Sequence, residues 1–462
     1  MDLISALRIN LNSHAPDVIA VVGGGGKTSV VFRLAREIVA RGLRVVTATT
    51  TRVTLRQIDL APIHLRLQAN ALPLDALARA LDTHGHCLLV GNETLLNGKQ
   101  MGVTPAVIDA LVAHAQRLNI GAIVLEADGS RTLPVKAPAE HEPVLPQSTT
   151  LLLPMVGMEA VGAPVDDTHA HRPERILALL DAGNAPAPLT PRQAARLLLH
   201  PAGGAKGLPA GARLLPIFNK ADSAPHLAAA RVAAAAAVAM GSPALIAAAG
   251  NADVDPVIER WGAVAVIVLA AGESRRFGAP KQVATVDGET LAHRAARLAL
   301  ESGAQHVIMV TGAHADVVEA AVADLAAPTG ADEPRRLHLV QNRAWAAGQS
   351  TSLRAGLAAL PAEVEAVICL PVDQPWLDAA LLRAMIARWR SGSNIIAPAV
   401  EGALRGAPAL FDRCHFAALA EITGDQGGRA LLARYPVAAL PVGAAMLADI
   451  DTPHDLPNPN AK

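Results

Sequence analysis

The sequence is poor in aromatic side chains and in cysteine, and it has almost no net charge. Phe, Trp and Tyr make up 2% of the 462 residues, three cysteines occur, and 40 basic against 41 acidic side chains leave a formal charge of −1. A disulfide framework needs more cysteines, and binding to nucleic acids or anionic membranes needs a positive field. We therefore expect neither a disulfide-rich scaffold nor a partner among nucleic acids and membranes.

Long apolar runs are also missing, although hydrophobic residues make up 51% of the chain. The most apolar stretch, residues 232–240, is mostly alanine, is too short to span a bilayer and is followed by Gly241. The first ten residues, MDLISALRIN, show no charged-then-apolar signal pattern. The sequence therefore predicts a cytoplasmic location.

The same local pattern, an apolar strand running into a glycine-rich turn and a helix, occurs once in each half. It begins at residues 18–22 and again at residues 264–270. Small, turn-forming and acidic residues fill the stretch 247–256 between them. We expect a first domain over 1–250, a linker over 251–262 and a second domain over 263–462. Both halves alternate strand and helix patterns, which predicts α/β domains, each with a mainly parallel sheet covered by helices.

The first half contains a P-loop-like segment. Lys27 and Thr28 follow a glycine run and open a helix pattern, so Lys27 is predicted to reach the β- and γ-phosphates of a nucleotide and Thr28 a Mg²⁺ ion. The spacing departs from the usual P-loop pattern, because Val21 stands where that pattern has glycine. A glycine-rich turn without a nucleotide is the alternative. The predicted contacts are Gly24, Gly25, Gly26, Lys27 and Thr28.

Two further segments favour a nucleotide. The apolar run 123–125 ends in carboxylates, and either Glu126 or Asp128 suits a Walker-B role toward Mg²⁺ or water. Residues Asn219, Lys220 and Asp222 form the Asn-Lys-x-Asp pattern with which GTP-binding proteins hold guanine. A chance match is the alternative there, so both GTP and ATP stay open.

Two polar groups in this half have two interpretations each. His141 and Glu142 suit either a metal or acid–base role, or a polar turn among prolines. His171 and Arg172 suit either a solvated helix start or anion binding near the P-loop.

As a set, these motifs resemble the accessory family of selenium-dependent hydroxylases, the YqeC family, with a P-loop NTPase-like fold. The resemblance spans about residues 15 to 250. It implies the biological context in which the protein acts, but no particular reaction. It rests on residues 24–28, the run Thr49-Thr50-Thr51, residues 126–129, 136–143 and 171–174, and the pattern 219–222.

In the second half, the loop after the strand pattern has the composition of a triphosphate cradle. Gly272 and Gly278 allow backbone N–H groups to approach phosphate oxygens, and Arg276 and Lys281 supply positive charge. The alternative is a basic turn. Asp373 follows an apolar run, where open α/β sheets place ligand-binding groups.

A carboxylate pair predicts a Mg²⁺ site in this half. Asp373 and Asp451 together would give the oxygen ligands that Mg²⁺ prefers, and Asp449 competes with Asp451 for this role. A helix cap or a turn is the alternative for each aspartate alone.

Residues 269–281 resemble the signature LAAGxSxRxGxxK of MobA-like nucleotidyltransferases, and later blocks follow in the order of the molybdenum cofactor cytidylyltransferase branch. The resemblance implies a Rossmann-like fold and transfer of CMP from CTP to molybdopterin. It implies Arg276, Lys281 and Asp373 as catalytic residues and Asp373 and Asp451 as metal ligands. The nucleotide-binding residues it implies are Leu269, Ala270, Ala271, Gly272, Gly278, Lys281, Thr311 and Gly312. One departure is Ala407, where the family usually has His.

The whole chain is therefore predicted to be a maturation protein for molybdenum hydroxylases. Its substrates would be CTP and Mo-molybdopterin with Mg²⁺ as cofactor, and the first domain would be a GTP- or ATP-dependent accessory. The expected partner is an apo molybdenum hydroxylase or its chaperone. The alternatives are a non-enzymatic cofactor carrier, and a nucleotidyltransferase that uses another nucleotide or phosphate acceptor.

Overall fold

The computed structural model describes residues 1–11, 14–96, 98–181, 187–327 and 337–457. The chain divides into two compact units, Met1–Trp261 and Gly262–Lys462. In these described ranges, no helix has both the length and the apolar character that a membrane span requires.

The first unit is built on a long, mostly parallel sheet. Its strands are β1 (Asp17–Gly23), β2 (Arg44–Thr49), β3 (Arg52–Val53), β4 (His64–Leu67), β5 (His86–Gly91), β6 (Gln100–Met101), β7 (Ile120–Glu126), β8 (Val135–Lys136), β9 (Leu151–Gly157), β10 (Ala170–His171), β11 (Arg213–Leu214), β12 (Ile217–Asn219), β13 (Ala244–Ala247) and β14 (Val257–Trp261). The main sheet has the order β14-β13-β12-β9-β1-β7-β2-β5-β4, with β11 beside β9. Within this main sheet the described strands are parallel except β14, which runs antiparallel to β13, and outside it β3 and β6 form an antiparallel pair.

Helices cover both faces of this sheet. They are α1 (Leu3–Leu7), α2 (Lys27–Ala40), α3 (Leu55–Ile58), α4 (Leu74–His84), α5 (Pro105–Val112), α6 (Ala115–Leu118), α7 (Pro173–Leu180), α8 (Pro191–Leu199) and α9 (Ala224–Ala239). Side chains alternate along β1, so that Ile19 and Val21 enter one buried cluster and Val18 and Val22 the other. Both faces of β1 are buried, as in a central parallel strand.

The end of the first unit differs from the prediction. Residues 251–262 were expected to form a linker, but β14 occupies residues 257–261 and pairs with β13. The pattern missed it because Glu259 and Arg260 look like solvent-exposed residues. In the structure Glu259 accepts hydrogen bonds from Arg231 of α9 and from the Trp261 indole, which makes its burial tolerable.

The second unit is built on a mixed sheet, one half of which is parallel. Its strands are β15 (Ala263–Leu269), β16 (Thr285–Val286), β17 (Glu289–Thr290), β18 (His306–Thr311), β19 (Leu337–Gln341), β20 (Val364–Pro371), β21 (Ile395–Val400), β22 (Ala403–Leu404), β23 (Ala409–Asp412) and β24 (Ala438–Pro441). The main order is β19-β18-β15-β20-β23-β21-β22, with β24 beside β21. Strands β19, β18, β15 and β20 are parallel, whereas β23 runs antiparallel to both β20 and β21.

The helices of this unit pack on the sheet around a largely aliphatic core. They are α10 (Leu291–Glu301), α11 (Ala315–Ala320), α12 (Ala323–Ala326), α13 (Gln349–Ala358), α14 (Ala379–Arg390), α15 (Phe416–Ala420) and α16 (Arg429–Leu432). Trp389 is 1% exposed, and its indole donates to Asp412 Oδ2 over 2.8 Å. Both units are thus α/β domains with mostly parallel sheets, which confirms the predicted fold class. In each, the parallel strands end at one edge, where loops meet.

We expect the substitution Leu34→Ala to lower the free energy of unfolding of the first unit by about 2–5 kcal/mol. Leu34 on α2 is fully buried, so its removal leaves a cavity. The matched control Leu55→Ala changes a leucine that is 53% exposed and should cost less than about 0.5 kcal/mol. Urea unfolding checks both, and equal losses would contradict the packing described here.

Candidate nucleotide sites at the sheet edges

The glycine run of the first unit lies between β1 and α2 in a space that admits no side chain. A Cβ atom on Gly25 would lie 2.0 Å from the backbone nitrogen of Gly157, and one on Gly24 would lie 2.6 Å from the carbonyl oxygen of Leu133. Gly25 and Gly26 also have positive φ angles of 77° and 111°. The chain therefore forms a close-packed loop that leads directly into the N-terminus of α2, as a phosphate-binding loop requires.

Asp128 anchors this loop and holds Lys27. The Gly23 N–H donates to Asp128 Oδ2 over 2.9 Å, and the Lys27 ammonium lies 3.3 Å from Asp128 Oδ1 and 2.6 Å from the Gly23 carbonyl oxygen. Lys136 forms a second ion pair with Asp128 Oδ2 at 3.1 Å. Because all four groups are buried or part of the loop backbone, Asp128 is committed to positioning two lysines.

Glu126 has a different position. Its Oε1 accepts a hydrogen bond of 2.6 Å from the Thr28 hydroxyl, which in turn accepts one of 3.0 Å from Gln57 Nε2. Burial raises the pKa of the Glu126 carboxyl above its ordinary value of 4.5. The structure thus separates the two acids that the sequence left as alternatives, because Glu126 contacts Thr28 whereas Asp128 contacts Lys27.

The Asn-Lys-x-Asp segment follows β12 beside the loop. Asn219 is 1% exposed, and its Nδ2 donates to the Gly25 carbonyl oxygen over 2.8 Å while its Oδ1 accepts from the Ala249 N–H. Lys220 forms an ion pair with Glu159, and Asp222 is exposed. Asn219 is therefore joined to the glycine loop, and Lys220 and Asp222 lie on the segment that follows it.

Glu142 is the centre of a buried ionic cluster that the sequence pattern did not predict. Its Oε2 accepts hydrogen bonds from Lys136 at 2.8 Å and from Arg172 at 2.7 Å, while His141 is exposed. Burial opposes ionisation, but the bonds from Lys136 and Arg172 prevail and lower the pKa of Glu142 from 4.5 to about 2. The contacts link Lys27, Asp128, Lys136, Glu142 and Arg172 into one chain of alternating charges.

In the second unit, a buried glutamine shapes the loop after β15. Gln282 is 1% exposed and donates to the carbonyl oxygens of Ala270 (3.2 Å) and Gly272 (2.7 Å). The Ser274 hydroxyl donates to Gln282 Oε1 and accepts from the Lys281 N–H. The loop is thus held from inside, so that Lys281 begins the next short helical turn in a defined place.

Lys281 stands between the two predicted metal ligands. Its ammonium lies 2.6 Å from Asp373 Oδ2, 3.4 Å from Asp451 Oδ1 and 3.2 Å from the carbonyl oxygen of Ile450. Arg276 is 73% exposed and pairs with Asp451 at 2.9 Å. The structure therefore brings together the four charged residues that the motifs predicted.

Asp449 lies nearby but is bonded differently, since its Oδ1 accepts from Gln374 Nε2 at 2.9 Å. Burial, together with the charges of Asp373 and Asp451, raises the pKa of the Asp449 carboxyl. In the described ranges, no group of three or more His, Cys, Asp or Glu side chains could hold a metal ion. A metal at this site would depend on the two carboxylates of Asp373 and Asp451 and on substrate phosphates.

Two adjoining cavities open at this edge. The smaller, of about 380 Å³, is lined by Lys281 and Asp373 and by the loop after β15. The larger, of about 530 Å³, is lined by Arg405 and Arg429 together with carboxylates, amides and apolar side chains. The two cavities share Leu269, Gln349, Pro371 and Asp425. The site thus has two compartments with one common wall.

Half of the predicted nucleotide contacts line the smaller cavity, namely Leu269, Ala271, Gly272 and Lys281. Ala270, Gly278, Thr311 and Gly312 do not line either of these two cavities. Thr311 is fully buried and donates to Glu319 over 2.8 Å, and a Cβ on Gly312 would meet Ala271 at 2.6 Å. Gly312 thus packs against the start of the loop after β15, next to the buried Thr311.

The residues that the motif pattern missed are Gln282, Gln349, Arg405 and Arg429. Three of them, Gln349, Arg405 and Arg429, do lie in ordered blocks that carry the resemblance (348–352, 405–408 and 427–429), and this position was the available signal.

Each unit is thus an α/β domain with a glycine-containing loop where its parallel strands end. The family model described as YqeC protein matches residues 19–174, and the model described as MobA-like NTP transferase domain matches residues 266–439. The chain belongs to the YqeC family through its first unit, and its second unit is a MobA-like NTP transferase domain. Both predicted resemblances are confirmed.

Three relatives are similar to parts of this chain. The uncharacterized protein YqeC of Escherichia coli (strain K12) is 37% identical over 218 residues, which are 47% of this chain and 81% of that protein. The nicotine blue oxidoreductase of Paenarthrobacter nicotinovorans is 33% identical over 179 residues, 37% of this chain and 81% of that protein. The probable molybdenum cofactor guanylyltransferase of Opitutus terrae (strain DSM 11246 / JCM 15787 / PB90-1) is 30% identical over 141 residues, 30% of this chain and 62% of that protein.

We expect Glu142→Gln to destabilise the first unit by roughly 3 kcal/mol at pH 7, because Lys136 and Arg172 lose their shared counter-charge. Since the folded pKa of Glu142 is lowered from 4.5 to about 2, its contribution is fully present above pH 4.5. It is lost as the pH falls through the folded pKa. The difference in unfolding free energy between wild type and variant should therefore shrink below pH 4.5, as urea titrations at several pH values would measure. A difference that stays constant down to about pH 2 would contradict it.

Proposed function

We propose that the second unit transfers CMP from CTP to the terminal phosphate of Mo-molybdopterin and releases pyrophosphate. The observation that carries this proposal is the pair of adjoining cavities with a common wall. One cavity offers Lys281 and Asp373 to a triphosphate, and the other offers Arg405 and Arg429 to a phosphate acceptor. A transfer reaction needs this arrangement, because both substrates must lie against each other.

Lys281 and Arg276 neutralise the β- and γ-phosphates in this proposal. In the structure both are paired with aspartates, so triphosphate binding replaces an ion pair inside the protein with one to the ligand. The oxygens of Asp373, Asp451 and Ile450 already surround a cation, the Lys281 ammonium, and this oxygen set suits Mg²⁺. When bound there, Mg²⁺ would offset the charge that builds up on the leaving pyrophosphate.

The acceptor phosphate is held by Arg405 and Arg429. One of its oxygens forms a bond to the α-phosphorus of CTP as the bond to the pyrophosphate oxygen breaks, so no covalent enzyme intermediate is needed. Cys369 lines this cavity, but burial raises the pKa of its thiol to about 12, which keeps it protonated at neutral pH. Catalysis then rests on positioning and charge neutralisation.

The choice of CTP rests on the motif blocks of the cytidylyltransferase branch, whereas one relative is named as a guanylyltransferase. Another relative is named as an oxidoreductase. We favour nucleotidyl transfer over a redox reaction because the set of Lys281, Arg276, Asp373 and Asp451 has a direct role only with a metal and a polyphosphate.

We expect Asp373→Asn to lower pyrophosphate release by about a hundredfold or more with CTP, Mg²⁺ and Mo-molybdopterin. The loss of one carboxylate charge removes a proposed metal ligand and the nearer ion-pair partner of Lys281. A coupled pyrophosphate assay with CTP, GTP and ATP in parallel measures the effect. The matched control, Asp316→Asn, changes an exposed aspartate on α11 and should keep full activity.

Near-normal turnover of the Asp373→Asn variant would remove the metal assignment. Release with GTP instead of CTP would move the protein to the guanylyl branch. No release with any nucleotide would favour the non-enzymatic carrier or a different acceptor.

For the first unit we propose a nucleotide-dependent accessory role in the maturation of a molybdenum hydroxylase. Lys27 would contact the phosphates of GTP or ATP, and Thr28 and Glu126 would hold Mg²⁺. The close-packed glycine loop and the contact between Thr28 and Glu126 support this. Fusion to the second unit would raise the effective concentration of one site at the other, which favours delivery of a scarce cofactor to an apo-hydroxylase or its chaperone.

We expect Mg²⁺ to strengthen nucleotide binding to the first unit by about tenfold or more, and Thr28→Ala to abolish that gain. The adjacent Ser29→Ala removes a hydroxyl from the same helical turn and should retain it. Calorimetric titration with GTP and with ATP, each with Mg²⁺ and with chelator, measures the ratio. An undiminished Mg²⁺ effect in Thr28→Ala would refute the role of Thr28.

A further inference from the structure

Four basic side chains gather beside the glycine loop of the first unit. Lys136 and His171 are paired in the parallel β8–β10 register, and Arg172 follows directly. The charges of Arg172, Lys136 and Arg131 all act on the His171 ring, so these groups lie within electrostatic range of one another. The set Arg131, Lys136, His171 and Arg172 is called the basic cluster below.

The loop that carries Arg131 is clamped against the glycine loop at both ends. The Leu133 carbonyl oxygen accepts from the Gly25 N–H at 3.3 Å, and the Gly129 carbonyl oxygen accepts from the Lys136 ammonium at 2.7 Å. Between these anchors, Arg131 and Thr132 have positive φ angles of 52° and 67°. The surrounding contacts thus impose a costly backbone conformation that presents Arg131, and such strain is concentrated at functional sites.

Arg172 shows the same backbone feature. Its φ is 65°, and it is the residue immediately before α7, where no side chain caps the helix. Its guanidinium bonds to Glu142 Oε2 at 2.7 Å and to the Ala137 carbonyl oxygen at 3.1 Å. The helix N-terminus therefore adds positive potential at a residue that Glu142 holds in place.

The charges around the glycine loop do not balance. Asp128 and Glu142 pair with three cations, Lys27, Lys136 and Arg172, and Arg131 adds a fourth positive charge. Burial first, and then the charges of Arg172, Lys136 and Arg131, lower the pKa of His171, so its ring is neutral at pH 7. Glu126 is engaged with Thr28, and the neighbouring Glu140 lies 3.9 Å from Arg175.

Two members of the basic cluster have unused donors. Arg131 is exposed, and neither its guanidinium nor the half-buried His171 ring forms a hydrogen bond or salt bridge within the described part of the chain. Lys136 and Arg172, in contrast, are bonded to Glu142. Free donors beside uncompensated positive charge are what an oxyanion needs.

We propose that Arg131, His171 and Arg172 form an oxyanion-binding subsite beside the P-loop. The oxyanion is either the γ-phosphate of the nucleotide or a phosphate group of a second substrate, and both present the same oxygens to these donors. The first assignment rests on the proposed nucleotide binding by the first unit, whereas the subsite itself does not.

The test compares the full-length wild type with Arg131→Ala, His171→Ala and the control Arg192→Ala, an exposed arginine on α8. Calorimetry with Mg²⁺ measures binding of GTP, GDP, ATP and ADP, and then of inorganic phosphate to the protein alone and to the diphosphate-loaded protein. If the γ-phosphate fills the subsite, Arg131→Ala and His171→Ala weaken triphosphate binding by about tenfold and leave diphosphate binding within about twofold.

If a second substrate supplies the oxyanion, both nucleotide affinities persist, but phosphate binding to the diphosphate-loaded protein is lost in Arg131→Ala and His171→Ala. Unchanged binding of triphosphates and of phosphate in these variants overturns the proposal. If the wild type binds no nucleotide, the proposed accessory role is refuted independently of the subsite. The subsite is then tested by phosphate binding alone. Phosphate binding by the wild type that Arg131→Ala abolishes then supports the subsite. The absence of phosphate binding by the wild type refutes it.

Discussion

The carboxylate of Asp128 holds the functional edge of the first unit together. It accepts the N–H of Gly23 at the start of the glycine loop and pairs with Lys27 and Lys136, which come from two different segments. A buried carboxylate with three donors is stable only when all of them are in place, so the loop, α2 and β8 are fixed relative to one another. Glu142 and Arg172 extend the same ionic chain outward to the basic cluster.

In the second unit, Lys281 is the charged side chain that holds several segments together. Here the cation is at the centre and the carboxylates of Asp373 and Asp451 surround it, while Gln282 next to it holds the loop backbone from the inside. One side chain thus joins the loop after β15, the end of β20 and the segment near Asp451. The smaller of the two cavities at this edge is lined by residues of the same loop.

The sequence predicted the features that depend on residues close together in the chain. Glycines next to strand patterns predicted the loops that carry Lys27 and Lys281, and the structure has a loop at both places, because these residues are close together in the chain. Asp373 was predicted from its position after an apolar run, whereas Asp449 and Asp451 both stayed open as its partner, because spacing does not show which of two carboxylates far along the chain lies beside it.

What the sequence could not predict depends on contacts between distant segments. For Glu142 the sequence left a metal or acid–base role and a polar turn open, and in the structure Arg172 bonds to it. Residues 251–262 were predicted as a linker, but β14 forms there and Arg231 pairs with its Glu259. Thr311 was predicted as a nucleotide contact through the family resemblance, and in the structure its hydroxyl donates to Glu319. In each case a partner from another element decides the role of the residue.

The paired lysines have a consequence for how the sites respond to salt. Lys27 and Lys281 each carry a built-in counterion, Asp128 and Asp373, at 3.3 Å and 2.6 Å. A phosphate that binds at either lysine, as proposed above, would exchange with an aspartate instead of displacing mobile ions from a bare cation. Counterion release, the usual source of steep ionic-strength dependence, contributes little to such an exchange. Binding at both lysines should therefore be comparatively insensitive to the ionic strength of the surrounding solution.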